Sequence, residues 1–245
     1  MSRTAVVVLL AAALLTLTAS VPAVADVVGY VNINFQPGYS LFCNPLWVHA
    51  RPDMSNPLSD VFPTAPDGTL VFPWNAATQM WEPGSEFDAA FGGWSIDYDL
   101  SPGSGAMLYN QDVSSFTGTF VGEVSNPDGS RPFVDPPPWI APAPYAGPAG
   151  MYLLSCKTPL SLPIADGSVF HFVVGREPVI GEQFFRWDVG LQAYEGTTFT
   201  DLGWDNGDPV LGVGEAAFFN LVPEPATLSL LILGLGGLAV RRRRR

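Results

Sequence analysis

Short apolar runs alternate with turn residues through most of the chain. Tyr39, Leu41 and Cys43 are aromatic or apolar at every second position, and Phe72 and Trp74 repeat that spacing. Because alternate side chains of a strand point to the same face, each set predicts a strand with one buried face. Gly, Pro, Asn and Asp bound these runs, whereas Val, Thr, Phe and Trp are plentiful within them. The pattern therefore predicts an all-β region.

The same pattern divides the first part of this region into strands and turns. Strands are predicted at 27–34, 40–44, 69–74, 80–82, 95–98 and 106–110. Turns rich in Pro and Gly are predicted at 36–38, 66–68 and 102–104. Aromatic residues at period two belong to a core by default, so four tryptophans are expected to be packing anchors first and sugar platforms second: Trp74, Trp94, Trp187 and Trp204.

An internal repeat runs through the region. Residues 39–82 match residues 152–195 at eleven positions when the chain is shifted by 113 residues, and a second match follows at a shift of 110. The repeat predicts two tandem, related β modules, sandwich or barrel-like, at residues 26–119 and 120–222. The matched pairs include Trp74/Trp187, Gln79/Gln192, Trp94/Trp204 and Cys43/Cys156.

The second module is the longer one. Its first strand matches at a shift of only 93, so 20 extra residues precede its second strand. They coincide with residues 131–150, where seven prolines surround Trp139 and Tyr145. Proline at this density excludes helix and central strand. The segment is interpreted as a long loop of the second module, either a stiff cover or a ligand-contacting loop.

The first 25 residues have the parts of a secretory signal peptide. Arg3 gives a positive start, residues 5–17 form an apolar helix, and Ala23 and Ala25 frame a small-residue cleavage site. Signal peptidase is therefore expected to release a mature chain that begins at Asp26. The alternative is an uncleaved N-terminal anchor.

The other end of the chain has a different order of parts. Val222, Pro223, Glu224 and Pro225 precede an apolar run at 226–240. As a helix this run spans about 22 Å, short of a ~30 Å hydrocarbon core, although snorkelling arginines extend its reach. It is predicted to be a short transmembrane helix. A basic stop that keeps this end on the cytoplasmic side follows it, formed by Arg241, Arg242, Arg243, Arg244 and Arg245.

This order of parts resembles the PEP-CTERM sorting signal, in which a Pro-Glu-Pro motif, one apolar helix and a basic cluster are read by the membrane protease-transpeptidase exosortase. The resemblance implies that residues 223–245 are an address, cut near the motif while the chain is held at the inner membrane. An ordinary tail anchor is the alternative. Export, inner-membrane anchoring and then a cell-surface or extracellular location are therefore expected.

Charge narrows the choice of partners. Residues 26–222 contain 5 Lys plus Arg against 22 Asp plus Glu, a formal charge of −17. Nucleic acid and anionic lipid both need a basic surface, so neither is an expected partner. Cations and neutral polymers such as polysaccharide remain.

The sequence contains no familiar catalytic motif: it lacks a nucleophile elbow, a zinc-binding helix, a phosphate loop and a dinucleotide fingerprint. No catalytic residue and no cofactor is therefore assigned, although 22 acids leave a glycosidase pair open. Calcium is the one weak cofactor candidate, because oxygen ligands cluster at Asp201, Asp205 and Asp208. The alternative is that these acids cap turns.

The region as a whole resembles a duplicated all-β module of secreted PEP-CTERM proteins from exopolysaccharide-producing Gram-negative bacteria. The segments VGYVNINFQPGYSLFCNPL, GTLVFPWNAATQMWEP and FGGWSIDYDLSPGSGAMLYN, with their second-module partners, are the basis of this resemblance. It implies no known activity. The chain departs from it at Cys43 and Cys156, where small or polar residues are expected.

These two cysteines are candidates for a disulfide. Export would deliver them to an oxidising compartment, and the repeat matches Cys43 with Cys156. A bond needs Cα atoms within about 7 Å of each other. The alternative is a pair of separate buried thiols that act as small apolar groups.

Together these patterns predict a non-catalytic, exported surface or extracellular-matrix protein associated with exopolysaccharide or biofilm. One alternative is a carbohydrate-binding module, which would need a row of exposed aromatic side chains. The other is a polysaccharide-active enzyme, which would need two carboxylates facing each other across a cleft.

Overall fold

Antiparallel strands make up most of the structure, a computed structural model that describes residues 28–48, 55–124, 149–164, 170, 173–207 and 209–222. This confirms the all-β prediction. The first half, within residues 28–124, contains the short helix α1 (Leu58–Val61) and the strands β1 (Val28–Phe35), β2 (Gly38–Cys43), β3 (Leu46–Trp47), β4 (Leu70–Asn75), β5 (Met80–Trp81), β6 (Ser85–Asp88), β7 (Gly93–Trp94), β8 (Gly105–Asn110) and β9 (Phe116–Val124).

The second half, within residues 149–222, is built in the same manner. Its strands are β10 (Gly150–Leu154), β11 (Leu162–Pro163), β12 (Gln183–Asp188), β13 (Ala193–Thr200), β14 (Gly203–Trp204), β15 (Val210–Leu211) and β16 (Ala217–Leu221).

The main sheets of the two halves have corresponding strand orders. The first runs β2-β8-β4-β6-β7, with β5 also paired to β4, and the second runs β10-β16-β12-β13-β14. The long strand β13 takes the place of β5 and β6 together, because the corresponding strand of the first half is interrupted between Trp81 and Ser85. Two smaller sheets, β1-β9-β3 and β11-β15, complete the described fold.

Strand β9 runs across the predicted module boundary between residues 119 and 120. It pairs with β1, placing Gly122 opposite Gly29, and its other edge pairs with β3. A Cβ atom at Gly122 would collide with the carbonyl of Trp47, so this close approach requires glycine. Phe120 is fully buried among first-half residues. By its packing, β9 belongs to the first half.

Each half has its own aromatic core. In the first, Phe35 meets Phe42 edge-on at 5.3 Å between ring centroids, and Phe62 lies 5.4 Å from Phe120. In the second, Phe219 lies 5.3 Å from Phe170 and 5.2 Å from Phe184. Aromatic pairs at these separations add to the stabilisation from apolar burial.

A third buried cluster lies between the two halves and joins them. We call it the inter-half cluster. Trp74, Trp81, Met107, Met151, Phe185 and Trp187 pack around its edge. Its buried members are Leu41, Cys43, Leu153, Ala216 and Phe218.

One strand prediction was wrong and three short strands were missed. Residues 95–98 form no strand, because β7 ends at Trp94 and Asp97 instead accepts hydrogen bonds from the N–H and hydroxyl of Ser59, both at 2.8 Å. The missed strands are β3, β6 and β7. All three are short, so an alternation of apolar and polar positions has little length in which to show.

The predicted signal peptide at 1–25, nearly all of the Pro-rich segment at 131–150 and the tail at 223–245 lie outside the described residues. Within the described ranges, no helix has the length and apolar character needed to cross a membrane.

Candidate functional site

Two glutamines connect the halves by equivalent hydrogen bonds, one reaching from the first half to the second and the other from the second half to the first. Gln79 Oε1 accepts the Met151 N–H at 2.8 Å, and its Nε2 donates to the Met151 carbonyl at 3.0 Å. Gln192 Oε1 accepts the Tyr39 N–H at 2.7 Å, and its Nε2 donates to the Tyr39 carbonyl at 3.1 Å. Each side chain thus extends the other half's edge strand, β2 or β10, by one backbone-like pair of bonds.

Backbone geometry aims these side chains. Gln79 has φ 55° and Gln192 has φ 50°, and no other non-glycine residue of the described ranges has positive φ. Each lies in the turn that follows β4 or β12. Nε2 of Gln79 also donates to the Ala76 carbonyl at 2.6 Å, and Nε2 of Gln192 donates to the Val189 carbonyl at 2.7 Å. The left-handed conformation costs roughly 1–2 kcal/mol, which the cross-half hydrogen bonds offset.

Two tryptophans repeat the exchange. Trp74 Nε1 donates to the Met151 carbonyl at 2.9 Å, and Trp187 Nε1 donates to the Tyr39 carbonyl at 2.8 Å. Both indoles are partly buried against the inter-half cluster. Trp94 and Trp204 are also packed, against Phe62 at 5.7 Å and Phe170 at 5.4 Å. Trp47 and Trp81 are partly buried as well, whereas Trp139 lies outside the described residues.

The match of Cys43 with Cys156 is one residue out of register. The Cys43 N–H donates to the Gly214 carbonyl at 2.9 Å, and the Ser155 N–H makes the reverse bond to the Gly103 carbonyl at 3.1 Å. Cys43 therefore corresponds to Ser155. A shift of one residue turns a strand side chain to the opposite face, so Cys43 lies in the inter-half cluster whereas Cys156 lies in the second core.

Both cysteines are buried, free thiols in the structure. Burial raises the pKa of Cys43 to about 12, although a hydrogen bond with Ser155 opposes the rise and the nearby Cys156 adds to it. Burial also raises the pKa of Cys156 to about 11. Such thiols react slowly, because the thiolate is the nucleophile.

The corrected register identifies Met107 and Phe218 as counterparts. Met107 lies opposite Leu41 on one side and Phe72 on the other, and Phe218 lies opposite Leu153 and Phe185 in the same way. Phe218 fills its side of the junction. Its ring lies 4.9 Å from Trp74, 5.6 Å from Trp81 and 5.8 Å from Tyr194.

Beside the slimmer Met107, the junction is open. A cavity of about 860 Å³, the inter-half groove, lies there between the two halves. Aromatic rings form its walls: Tyr39 is 6.5 Å from Trp187, and Trp187 is 4.7 Å from Tyr194. Tyr39 is 38% exposed and Tyr194 44% exposed. The groove thus presents partly exposed aromatic faces on a sheet framework.

Polar groups lie along the same groove. Asn75 Nδ2 donates to Glu82 Oε1 at 2.6 Å, and the exposed Thr78 lies nearby in the β4–β5 turn. Glu82 is the one carboxylate among the described residues that line the groove. Partial burial raises the pKa of the Tyr194 hydroxyl, so this group is a neutral donor at physiological pH. The groove therefore combines apolar faces with a few hydrogen-bonding groups.

Two of the three calcium candidates, Asp201 and Asp205, lie within the described residues. Asp205 Oδ1 already accepts the Thr198 N–H at 2.8 Å and the Thr197 hydroxyl at 3.0 Å. These bonds lower the pKa of Asp205. Asp201 is exposed, and Asp208 lies outside the described residues. Among the described His, Cys, Asp and Glu residues, no group of three is arranged to hold a metal ion.

A buried ion pair ties the end of the fold. Val222 donates its N–H to Glu182 Oε1 at 3.1 Å, and the fully buried Glu182 pairs with Arg176, whose Nη1 lies 3.0 Å from Oε2. Pro223, Glu224 and Pro225 follow outside the described residues, as does the cluster 241–245. The described fold thus ends where the predicted sorting motif begins.

Sequence reasoning missed Met107 and Tyr194, and it assigned no role to Gln79 or Gln192. The repeat matched Gln79 with Gln192, and this match was a usable signal, because the same polar residue at the same place in two turns indicates a specific role. Met107 could not be found in this way, because its importance depends on comparison with Phe218 in the corrected register.

Comparison with known proteins adds one finding. Residues 221–245 match the PEP-CTERM protein-sorting motif. No curated protein and no solved structure matches the chain. The match begins at Leu221, the last residue of β16, so the recognised segment overlaps the final two described residues and continues beyond them. Residues 221–245 are thus a PEP-CTERM sorting signal, which supports export of the chain and its sorting by exosortase.

Proposed function

We propose that the β region is a non-catalytic component of the cell surface or extracellular matrix, delivered by exosortase-type sorting and associated with extracellular polysaccharide. The observation that carries this proposal is the position of the sorting motif. Strand β16, the last described strand, ends at Leu221, and the Val222 N–H is hydrogen-bonded to the buried Glu182. Removal of the following residues therefore leaves every described strand in place.

Processing at both ends tests the delivery step. Intact-mass analysis of protein extracted from the cell surface should find a chain that starts at Asp26 and lacks the cluster 241–245. A matched strain without exosortase should accumulate the longer, membrane-bound form. Recovery of chains ending at Arg245 from cells with active exosortase would contradict the sorting step.

A carbohydrate-binding module is the second candidate, and the inter-half groove favours it. Partly exposed Tyr39 and Tyr194 stand beside Trp187 there, and aromatic faces are good surfaces for sugar rings. A polysaccharide-active enzyme would need a second carboxylate opposite Glu82 across this groove.

A further inference from the structure

The inter-half groove lies where two corresponding positions, Met107 and Phe218, carry different side chains. Phe218 closes its side of the junction by contacts with Trp74, Trp81 and Tyr194. Met107, its counterpart, is flexible and slim, and the space beside it is the cavity of about 860 Å³. A volume of this size accommodates several sugar rings or a comparable organic ligand.

The walls of the groove are held in place before any ligand arrives. The Trp187 indole is held by its hydrogen bond to the Tyr39 carbonyl. Gln192 holds the backbone of Tyr39 through two further hydrogen bonds. Tyr39 also packs on Tyr109 at 4.7 Å between ring centroids. Side chains ordered in advance lose little entropy on binding, which favours affinity.

Charge selects among ligands. Glu82 lies in the groove, and the region from 26 to 222 has a formal charge of −17, so an anionic chain would be repelled. A neutral sugar chain suits the site, because its rings have apolar faces for Trp187 and Tyr194 and its hydroxyls can bond with Asn75 and Glu82. No described cationic residue lines the groove.

We propose that the inter-half groove is a binding site for a neutral glycan chain, with Tyr39, Trp187 and Tyr194 as stacking surfaces and Asn75 and Glu82 as hydrogen-bonding groups. This inference rests on the proposed association with extracellular polysaccharide and gives it a location. The ligand would lie across both halves, so binding would depend on their junction.

Two variants and a control test the site. Met107→Phe introduces the residue of the corresponding position and places a ring at the Met107 side of the groove, where it should obstruct the ligand, whereas Tyr194→Ala removes one stacking surface. Tyr30→Ala is the control, because Tyr30 is 72% exposed on β1 and does not line the groove. Thermal unfolding of each variant establishes that it is folded before binding is compared.

Binding is measured on the surface-extracted protein by tryptophan fluorescence. The probes are glucose hexasaccharides with β-1,4, β-1,3 or α-1,4 links, the neutral polysaccharide fraction of the producing cells, and hexagalacturonate as an anionic probe. Saturable binding of a neutral probe is expected, weakened roughly 3- to 10-fold by Tyr194→Ala and also weakened by Met107→Phe, with Tyr30→Ala unchanged.

Three results would overturn the site: no saturable binding of any neutral probe, stronger binding of hexagalacturonate, or binding that Met107→Phe and Tyr194→Ala leave unchanged. If Met107→Phe fails to fold, Tyr194→Ala decides alone. Failure of the site and of the sorting step can be told apart. A correctly processed protein without glycan binding contradicts only the groove, and an unprocessed protein that binds glycan contradicts only the sorting step.

Discussion

Gln79 and Gln192 hold the two halves together by reciprocal hydrogen bonds, each to the backbone of the second residue of the other half's edge strand. The same two residues share a left-handed backbone. The left-handed turn conformation, although it costs free energy, thus occurs in both halves and in each directs a glutamine side chain to the other half.

Replacement of either glutamine should weaken the junction. Gln79→Ala removes two bonds to Met151 and should lower the free energy of unfolding by about 1–3 kcal/mol. Gln79→Gly should cost roughly 1 kcal/mol less than Gln79→Ala, because glycine tolerates the φ of 55°. Urea unfolding measures both, with the exposed turn variant Gln36→Ala as control. Unchanged stability in Gln79→Ala would show that the bonds contribute nothing.

The cysteine thiols should be present and slow to react. With the pKa of Cys43 at about 12, its thiolate fraction at pH 8 is about 1000-fold below that of a thiol at 9.0, and that of Cys156, at about 11, is about 100-fold below. Iodoacetamide should therefore label the native protein very slowly. In urea without reductant, where the protein is unfolded, both thiols should be labelled rapidly. Labelling of none in urea would reveal a disulfide.

Stability should respond to pH through Glu215. Burial raises the pKa of Glu215, and hydrogen bonding by Gly212 and the charge of Arg186 oppose the rise without cancelling it. A folded-state pKa above the unfolded value means that the folded state holds the proton more tightly, so this residue's contribution falls as pH rises through that range. Relative to Glu215→Gln, the natural chain should lose stability between pH 4 and pH 7.

Urea unfolding of both chains at the two pH values measures this difference. Glu195→Gln is the matched control, because Glu195 also approaches Arg186, at 3.4 Å, but is more exposed. A relative gain of stability by the natural chain at pH 7 would mean that the ion pair with Arg186, at 3.7 Å, outweighs burial.

A chain shortened to end at Val222 should fold and be secreted. The described fold includes Val222 through its bond to Glu182, and the prolines at 223 and 225 cannot extend the sheet. Circular dichroism and thermal unfolding should show a cooperative β protein. A chain ending at Phe218 is the control, since it lacks the end of β16 and should lose stability. An unfolded chain at Val222 would make the tail part of the fold.

The basic cluster should act through its charge. Replacing all five arginines at 241–245 with serine should leave export intact but reduce retention at the inner membrane, so that less processed protein reaches the surface. Replacing them with lysine keeps the charge and is the control. Cell fractionation with intact-mass analysis measures both. Equal processing of the serine and lysine variants would show that the positive charge is not needed.

Local pattern in the sequence determined much of this protein. Alternation within residues 39–43 and 72–74 predicted strands that the structure contains as β2 and β4. The turn glycines Gly68 and Gly103 have φ of 79° and 92°, as turns there require. The sorting tail was equally readable, because its order of motif, apolar run and arginines is contiguous and acts without a folded context.

Tertiary structure decided which faces these strands present to one another. The sequence match placed Cys43 with Cys156. The equivalent bonds across the halves, from the Cys43 N–H to Gly214 and from the Ser155 N–H to Gly103, instead make Ser155 its counterpart, a shift of one residue that reverses the face of the strand. The groove has the same origin: whether Met107 or Phe218 fills a space depends on rings contributed by the other half. Such contacts join residues about a hundred positions apart, and no local pattern of apolar and polar residues specifies them.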